Sequence, residues 1–331
     1  MKSARVRFLA LAMVAALLAT TFLAGCGSKP YPSKAIEFVV PFNPGGGSDL
    51  LARAIASVFD AEKLLKQPLT VMNKAGGSGA VGYAYIRDKQ KADVPYTLGT
   101  VSSSWWTTPL LGKSDVKTDS FTPIVGLAYD TYVLLVNDKS KYKSLKDIID
   151  AAKKAPPKTL SVAGTGATSD DRVVTYLLEK EAGVTFNYIP FNSGAEAVTD
   201  VMGGHTDMTI ANPGEAMAQI EAKKMIPLAV ATDVRLGGAL KDTPTFKELG
   251  YGTVIFKQLR GVLGPKDFPP EDVKILETAF QKMSQSSKWT KDYVEKNLIT
   301  PAFMDSKTFA TAVKQMNDLY TTVFKALGQI K

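Results

Sequence analysis

The recurring order of elements constrains the fold of this chain more than any single residue does. Four times, a short run rich in β-branched residues leads through a turn rich in glycine and serine into an amphipathic helix. Strands that alternate with helices at this spacing predict βαβ units with parallel strand pairs. The predicted strand, turn and helix of each set are 36–40, 41–48 and 49–59; 69–72, 73–79 and 80–88; 160–163, 164–166 and 169–181; and 188–190, 191–194 and 195–202.

The four turns fall into two groups along the chain, which predicts an α/β fold with two lobes, each a mixed, mostly parallel sheet flanked by helices. We expect the first lobe to comprise residues 36–131 and 253–331, and the second lobe residues 132–252. In open α/β sheets a ligand binds beyond the carboxyl ends of the strands, so facing turns predict a binding cleft. Further strands are predicted at 96–99, 133–136, 208–211, 228–231 and 261–263, and further helices from Pro269 onward and over 306–327.

The first residues indicate an exported protein. Lys2, Arg5 and Arg7 precede an unbroken apolar run over 8–19, which is too short to cross a bilayer and is typical of a signal peptide. The run ends in Leu-Ala-Gly before Cys26, a pattern that resembles a bacterial lipobox. We therefore expect a signal peptide over 1–25, lipidation of Cys26 and a tether over 26–35. An ordinary signal peptide with an incidental cysteine is the alternative.

The composition excludes several kinds of site. The chain has one histidine, His205, and one cysteine, Cys26, so mechanisms with two imidazoles, zinc ribbons and disulfide frameworks are excluded. The formal net charge is +8, but the lysines occur singly or in pairs, without the dense basic runs of a nucleic-acid site. We expect no nucleic-acid partner, no metal, no cofactor and no catalytic residue, and we interpret His205 as a surface residue.

The turn over 41–49 carries the strongest chemical signal. Gly45, Gly46 and Gly47 let successive N–H groups point to one side, where the following helix adds unpaired amides and the positive end of its dipole. Ser48 offers a hydroxyl, and we expect Asp49 to cap the helix or to orient the neighbouring amides. The other turns repeat the pattern with Gly76, Gly77, Ser78 and Gly79; with Thr165, Gly166 and Ser169; and with Asn192 and Gly194.

Two alternatives concern single motifs. Residues 77–82 fit G-x-G-x-x-G, but the next predicted strand, 96–99, ends without the acidic residue that a dinucleotide site needs, so a nicotinamide cofactor is disfavoured. Neither a P-loop nor a G-x-S-x-G elbow occurs in the sequence. Trp105 follows three serines, and its ring either packs in the core at a lobe boundary or lines the cleft.

The motif Pro41-Phe42-x-Pro-Gly-Gly-x-Ser-Asp49, together with the Cys26 motif, resembles the tripartite tricarboxylate transporter receptor family, also called TctC or Bug-type extracytoplasmic solute receptors. The similarity continues in order through 73–82, 96–99, 120–124, 164–166, 189–194, 203–207 and 260–265. It implies a Venus-flytrap fold that closes on a small carboxylate. By that pattern the ligand would be held by Phe42, Gly45, Gly46, Gly47 and Ser48; by Gly76, Gly77, Ser78 and Gly79; and by Ser103, Thr165, Gly166, Ser169 and Asn192.

The resemblance implies a function as well as a fold. We expect a monomeric, lipid-anchored, extracytoplasmic protein that binds a di- or tricarboxylate or an aromatic acid and delivers it to the subunits of a tripartite tricarboxylate-type membrane transporter. A ligand-sensing module for a signalling partner is the alternative, and a secreted α/β enzyme is a weaker one.

Overall fold

Two β-sheets, each flanked by helices, organise the computed structural model of the protein, which describes residues 30–167, 169–326 and 328–331. Residues 34–331 form one compact unit. The predicted signal peptide and Cys26 lie outside the described residues. Within the described part of the chain, no helix combines the length and apolarity needed to cross a bilayer.

The strands and helices follow the predicted alternation. The strands are β1 Ile36–Val40, β2 Leu69–Asn73, β3 Thr97–Thr100, β4 Phe121–Asp130, β5 Val133–Asn137, β6 Ser161–Thr165, β7 Asn187–Phe191, β8 Met208–Ala211, β9 Met225–Val230, β10 Gln258–Pro265 and β11 Thr300–Met304. The longer helices are α1 Gly47–Ala61, α2 Ala80–Arg87, α3 Ser104–Leu110, α4 Leu145–Lys154, α5 Asp170–Ala182, α6 Gly194–Met202, α7 Pro213–Glu221, α8 Pro270–Ser284 and α9 Ser306–Ala326. A helical turn, Ser287–Trp289, and a π-helical segment, Thr290–Glu295, follow α8.

Each lobe is built on one of the two sheets. The strand order is β11-β4-β10-β3-β1-β2 in the first lobe and β7-β6-β8-β5-β9 in the second. The strands of the predicted βαβ units pair in parallel, β1 with β2 and β6 with β7. Strands β4, β5 and β10 form antiparallel pairs instead. The sheets are therefore more mixed than the βαβ pattern predicts, because the strands that flank the crossings between lobes run against their neighbours.

The second sheet shows why its strands are apolar throughout. In β5, Val133 and Leu135 pack in a cluster with α6 and α7, whereas Leu134 and Val136 face the larger core cluster that includes α4 and α5. A strand covered by helices on both faces has no polar side. This explains why a continuous apolar run, rather than an alternating one, marks this strand in the sequence.

The chain crosses between the lobes beside the interface that they share. Strand β4 ends at Asp130 and β5 begins at Val133, and the chain returns to the first sheet at Gln258. The Thr131 hydroxyl donates to the carbonyls of Ala231 and Phe256, at 3.3 and 3.4 Å. The outgoing and returning segments are thus hydrogen-bonded to each other, which places the turns of both lobes around one interface.

Candidate functional site

The first glycine turn opens helix α1 as the sequence predicts. Gly45 has φ +88°, a left-handed conformation that favours glycine, and its N–H donates to Asp49 Oδ2 at 3.0 Å. Asp49 also accepts from Arg53 Nε at 2.8 Å and from Asn73 Nδ2 at 3.0 Å. Burial alone would raise the pKa of Asp49, but these hydrogen bonds outweigh burial and lower the pKa. Asp49 therefore orients the turn as an ionised carboxylate.

The amides of the turn divide into committed and uncommitted groups. The N–H groups of Gly45 and Gly47 donate to the carboxylates of Asp49 and Glu215. Within the described part of the chain, no residue accepts from the amides of Gly46 and Ser48. Both residues line a cavity between the lobes. The start of α1 therefore offers this cavity unpaired donors, together with the positive end of the helix dipole.

The cavity lies between the two lobes and has a volume of about 30 Å³. A buried water needs roughly 10–15 Å³ of such space, so the cavity has room for about two waters. Direct hydrogen bonds between the lobes, such as the one from the Gly47 N–H to Glu215, hold them closed. The first lobe contributes Phe42, Gly46, Gly47, Ser48, Ser102, Ser103, Gln258 and Arg260 to the lining. The crossing segment and the second lobe contribute Tyr132, Thr165, Ser169, Ser193, Asn212 and Glu215.

The structure brings seven of the predicted ligand-binding residues to this cavity. They are Phe42, Gly46, Gly47, Ser48, Ser103, Thr165 and Ser169. The Ser169 hydroxyl is buried without a hydrogen-bond partner in the described structure. Buried polar atoms in proteins are nearly always paired, so an unpaired hydroxyl in the lining is a donor available to a bound molecule.

The second predicted turn contacts the other lobe instead of the cavity. Gly76, Gly77, Ser78 and Gly79 are absent from the lining. The Ser78 hydroxyl accepts from the Ala167 N–H at 2.9 Å, and a Cβ on Gly166 would lie 2.8 Å from that hydroxyl. The second and third turns thus contact each other where the lobes meet. The second turn therefore lies beside the cavity, and the first turn forms the wall of the cavity.

The remaining predicted residues also lie behind the lining or between the lobes. Gly45 and Asp49 form the support of the first turn. The Asn192 carbonyl accepts from the Asn43 N–H at 3.2 Å, which joins the fourth turn to the first. A Cβ on Gly194 would lie 2.0 Å from Glu215 Oε2, so Gly194 makes room for the carboxylate of Glu215.

Trp105 is placed in the core and not at the cleft. Its residue is 1% exposed, and its ring packs on Trp106 and Phe121 with centroids 5.0 and 5.7 Å apart. The cavity lining does not include it. The alternative that the ring lines the cleft is therefore wrong for this closed structure, because α3 turns the side chain toward the core of the first lobe.

Sequence reasoning missed the buried ion pair beside the cavity. Arg260 Nε and Nη2 donate to Asp130 Oδ2 at 3.1 and 2.5 Å, and both side chains are almost fully buried. Burial would lower the pKa of Arg260, but the Asp130 carboxylate outweighs burial and raises it. A Cβ on Gly47 would lie 2.3 Å from Arg260 Nη2, so the third glycine of the turn gives the guanidinium its place. An arginine within an apolar strand was the available signal.

Asn212 and Glu215 were missed because their partners are distant in sequence. Arg260 Nη2 donates to Asn212 Oδ1 at 2.8 Å, and Asn212 Nδ2 donates to the Thr131 carbonyl at 2.7 Å. Asn212 and Glu215 form a capping box at the start of α7. The sequence Asn-x-x-Glu before an apolar stretch could have revealed this helix start, but not its contact with the first lobe.

Glu215 is the acidic side chain in the cavity lining. Its Oε1 accepts from the Gly47 N–H at 2.6 Å, and its Oε2 accepts from the Asn212 N–H at 3.1 Å. The residue as a whole is only partly buried. Burial of the carboxylate nevertheless raises its pKa to about 7, although the Gly47 amide and Arg260 oppose this shift.

The donors around the cavity are of kinds that bind anions. His205 is exposed in the turn between α6 and β8, outside the cavity lining. The described residues hold no group of three His, Cys, Asp or Glu side chains with the geometry of a metal site. Apart from Arg260 and Glu215, the lining offers neutral polar groups, mainly amides and hydroxyls, from two lobes.

Known proteins are similar to this chain in sequence and in fold. A family model described as the tripartite tricarboxylate transporter family receptor, TctC, matches residues 51–328. Protein BugT of Bordetella pertussis is 30% identical over 284 residues, which are 83% of this chain and 84% of BugT. A solved structure described as a periplasmic transporter is 28% identical with a TM-score of 0.84, over 91% of this chain and 99% of its own. An R. palustris protein solved with adipate is 25% identical with a TM-score of 0.82, over 90% and 98%. These structures confirm the two-lobed α/β fold.

Proposed function

We propose that this chain, which belongs to the tripartite tricarboxylate transporter receptor family, captures a small organic carboxylate between its two lobes. The resemblance predicted from the motifs is confirmed by the family model and by BugT. The family model describes its members as receptors of a tripartite tricarboxylate transporter, and one structural relative was solved with adipate. The ligand we propose is a di- or tricarboxylate or an aromatic acid.

The observation that carries the proposal is the pair of uncommitted amides, Gly46 and Ser48, at the start of a 15-residue helix that faces the cavity. Unpaired N–H groups at a helix N-terminus bind carboxylates and phosphates well. The Ser169 hydroxyl, buried and unpaired, faces the same cavity from the second lobe. A carboxylate that accepted from both lobes would favour the closed arrangement over an open one.

The charges around the cavity favour capture that remains reversible. Arg260 lines the cavity, but its guanidinium already donates twice to Asp130. The ligand would therefore be held chiefly by neutral donors, beside a guanidinium whose charge Asp130 already balances. Reversible binding suits a receptor that passes its ligand to another protein.

The finer features of the proposal concern anchoring and delivery. We place the protein outside the cytoplasm, anchored by lipidated Cys26 with a tether over 26–35 after cleavage of residues 1–25. As a monomer with lobes at 36–131 plus 253–331 and at 132–252, it would deliver its ligand to the subunits of a tripartite membrane transporter. Family membership and the lipobox-like sequence before Cys26 support this. In cells, a Cys26→Ala variant should incorporate no labelled fatty acid, and incorporation equal to wild type would refute the anchor.

Calorimetry with a panel of carboxylates, including adipate, succinate, citrate and benzoate, tests ligand capture. Gly46→Val is the test variant: a Cβ there lies 3.4 Å from the Ser193 Cβ and 3.5 Å from the Gly194 amide. The backbone tolerates this Cβ, but the valine methyl groups would stand between the lobes and should abolish binding. Gly252→Val is the matched control, since a Cβ on Gly252 meets nothing within 4 Å. No heat with any compound, or full binding by Gly46→Val, would refute the proposal.

A further inference from the structure

The Glu215 carboxylate accepts a hydrogen bond from the Gly47 amide, which lies between the two amides without an acceptor in the described part of the chain, those of Gly46 and Ser48. Its Oε1 is 2.6 Å from the Gly47 nitrogen, while the amides of Gly46 and Ser48 on either side have no acceptor among the described residues. A ligand carboxylate that accepted from those two amides would therefore lie directly beside the carboxylate of Glu215. Because Gly46, Gly47 and Ser48 are consecutive residues of one turn that faces the cavity, the two carboxylates would be immediate neighbours.

Two adjacent carboxylates in a closed cavity do not both stay ionised. Like charges that share a site raise one of the two pKa values strongly. The remaining charged and titratable groups that face Glu215 cannot cancel its charge: they are Arg260 of β10, Asp130 of β4, Asp171 of α5 and Tyr293 of the π-helical segment. The single cation among them, Arg260, is bound to Asp130.

We propose that Glu215 takes up one proton when a carboxylate binds, and that the protonated side chain then donates its O–H to the ligand. This inference rests on the proposed function. The proton comes from solvent and is bound at a carboxyl oxygen of Glu215. The ligand carboxylate enters as an anion, and the proton offsets its charge, so the negative charge beside Gly47 does not increase. Glu215 is thus a specificity-determining residue. It repels a ligand carboxylate when it is ionised, and when it is protonated it donates a hydrogen bond to ligands that can accept one.

The expected result is a pH-dependent affinity. Carboxyl groups of small acids have pKa values of about 4, so adipate keeps its charge between pH 6 and pH 9. Since the pKa of Glu215 in the ligand-free protein is about 7, uptake of one proton makes the dissociation constant of wild type rise with pH above about pH 7, by up to about tenfold per pH unit. Calorimetry at pH 8 in two buffers with different ionisation enthalpies should count close to one proton taken up per adipate bound.

Glu215→Gln is the test variant and Glu196→Gln the matched control. Glutamine keeps an oxygen for the Gly47 amide, but its N–H₂ group replaces the oxygen that accepts from the Asn212 N–H. The variant should therefore bind more weakly overall, but its affinity should not change between pH 6 and pH 9, with no proton uptake. Glu196 also bridges the lobes, accepting from Asn43 Nδ2 at 2.6 Å, but it does not line the cavity. Glu196→Gln should therefore keep the pH dependence of wild type.

The outcomes separate this inference from the proposed function. Binding of adipate by wild type without proton uptake would overturn the inference and leave the proposed function intact, and so would an unchanged pH dependence in Glu215→Gln. The proton count on wild type decides the matter even if the variant fails to fold. If no member of the carboxylate panel binds at any pH, the proposed function and the inference both fall.

Discussion

Replacing Arg260 with methionine tests whether the ion pair beside the cavity holds the structure together. The guanidinium makes two hydrogen bonds to Asp130 and one to Asn212. Methionine fills a similar volume but donates nothing. Among the described residues, Asp130 would keep only the hydrogen bond from the Thr131 N–H, at 2.8 Å, and would be buried without its counterion.

The magnitude follows from the burial of the pair. Removing one partner of a buried ion pair costs about 3–5 kcal/mol of unfolding free energy, because the other charge is left without its counterion. A double variant, Asp130→Asn with Arg260→Met, leaves no buried charge and should cost clearly less than Arg260→Met alone. The exposed pair of Arg235 and Glu248, 3.0 Å apart, provides the control: Arg235→Met should cost under about 1 kcal/mol.

Urea unfolding followed by circular dichroism at pH 7 measures these differences. If Arg260→Met costs no more than Arg235→Met, the pair does not stabilise the fold. If the double variant is less stable than Arg260→Met, the unpaired charge is not the cause of the loss. Because Asn212 belongs to the second lobe, we also expect Arg260→Met to bind adipate more weakly than wild type at a temperature where both are folded.

Three further predictions concern individual side chains. Ser48→Ala should weaken adipate binding by about 1–2 kcal/mol in calorimetry if the hydroxyl donates to a buried carboxylate, and unchanged affinity would remove Ser48 from the site. Trp105→Ala should lower the free energy of unfolding by about 3–5 kcal/mol because its ring lies in the core. Trp105→Phe should leave the dissociation constant for adipate unchanged, and weaker binding by this variant would show that the ring belongs to the binding site. In the ligand-free protein, burial raises the pKa of Glu215 from 4.5 to about 7, so the folded state binds more protons than the unfolded state between these values and thermal stability should fall as pH rises through them. Glu215→Gln should remove this part of the pH dependence, and an identical profile in both proteins would contradict it.

Local patterns were enough to predict most of the elements. All nine predicted strands are present, and helix α1 begins at the glycine turn as expected. Strands β4 and β11 were missed. β4 contains Pro123 and Gly126, which weaken a strand signal, and Gly126 is required there because a Cβ would lie 2.7 Å from Phe309. The reason for that glycine lies in a helix far along the chain, so no local pattern shows it.

The candidate site was predictable only where one turn makes its own geometry. Gly46, Gly47 and Ser48 reach the cavity through the local conformation of one turn, so their residue types were enough to predict them. The second turn has the same residue types, but it lies where the lobes meet, and its serine contacts Ala167 instead of the cavity. Which turn becomes a wall of the cavity depends on how far each lobe extends toward the other.

The long-range carboxylates could not be predicted for a related reason. Gly47 and Glu215 are 168 residues apart, and each has a sufficient local explanation: a glycine in a turn, and a glutamate in a capping box. A residue whose local role is complete gives no sign of a second role. Only closure of the lobes brings the carboxylate of one helix start to the amide of the other. The acid that we expect to govern ligand binding therefore reads, in the sequence, as an ordinary helix cap.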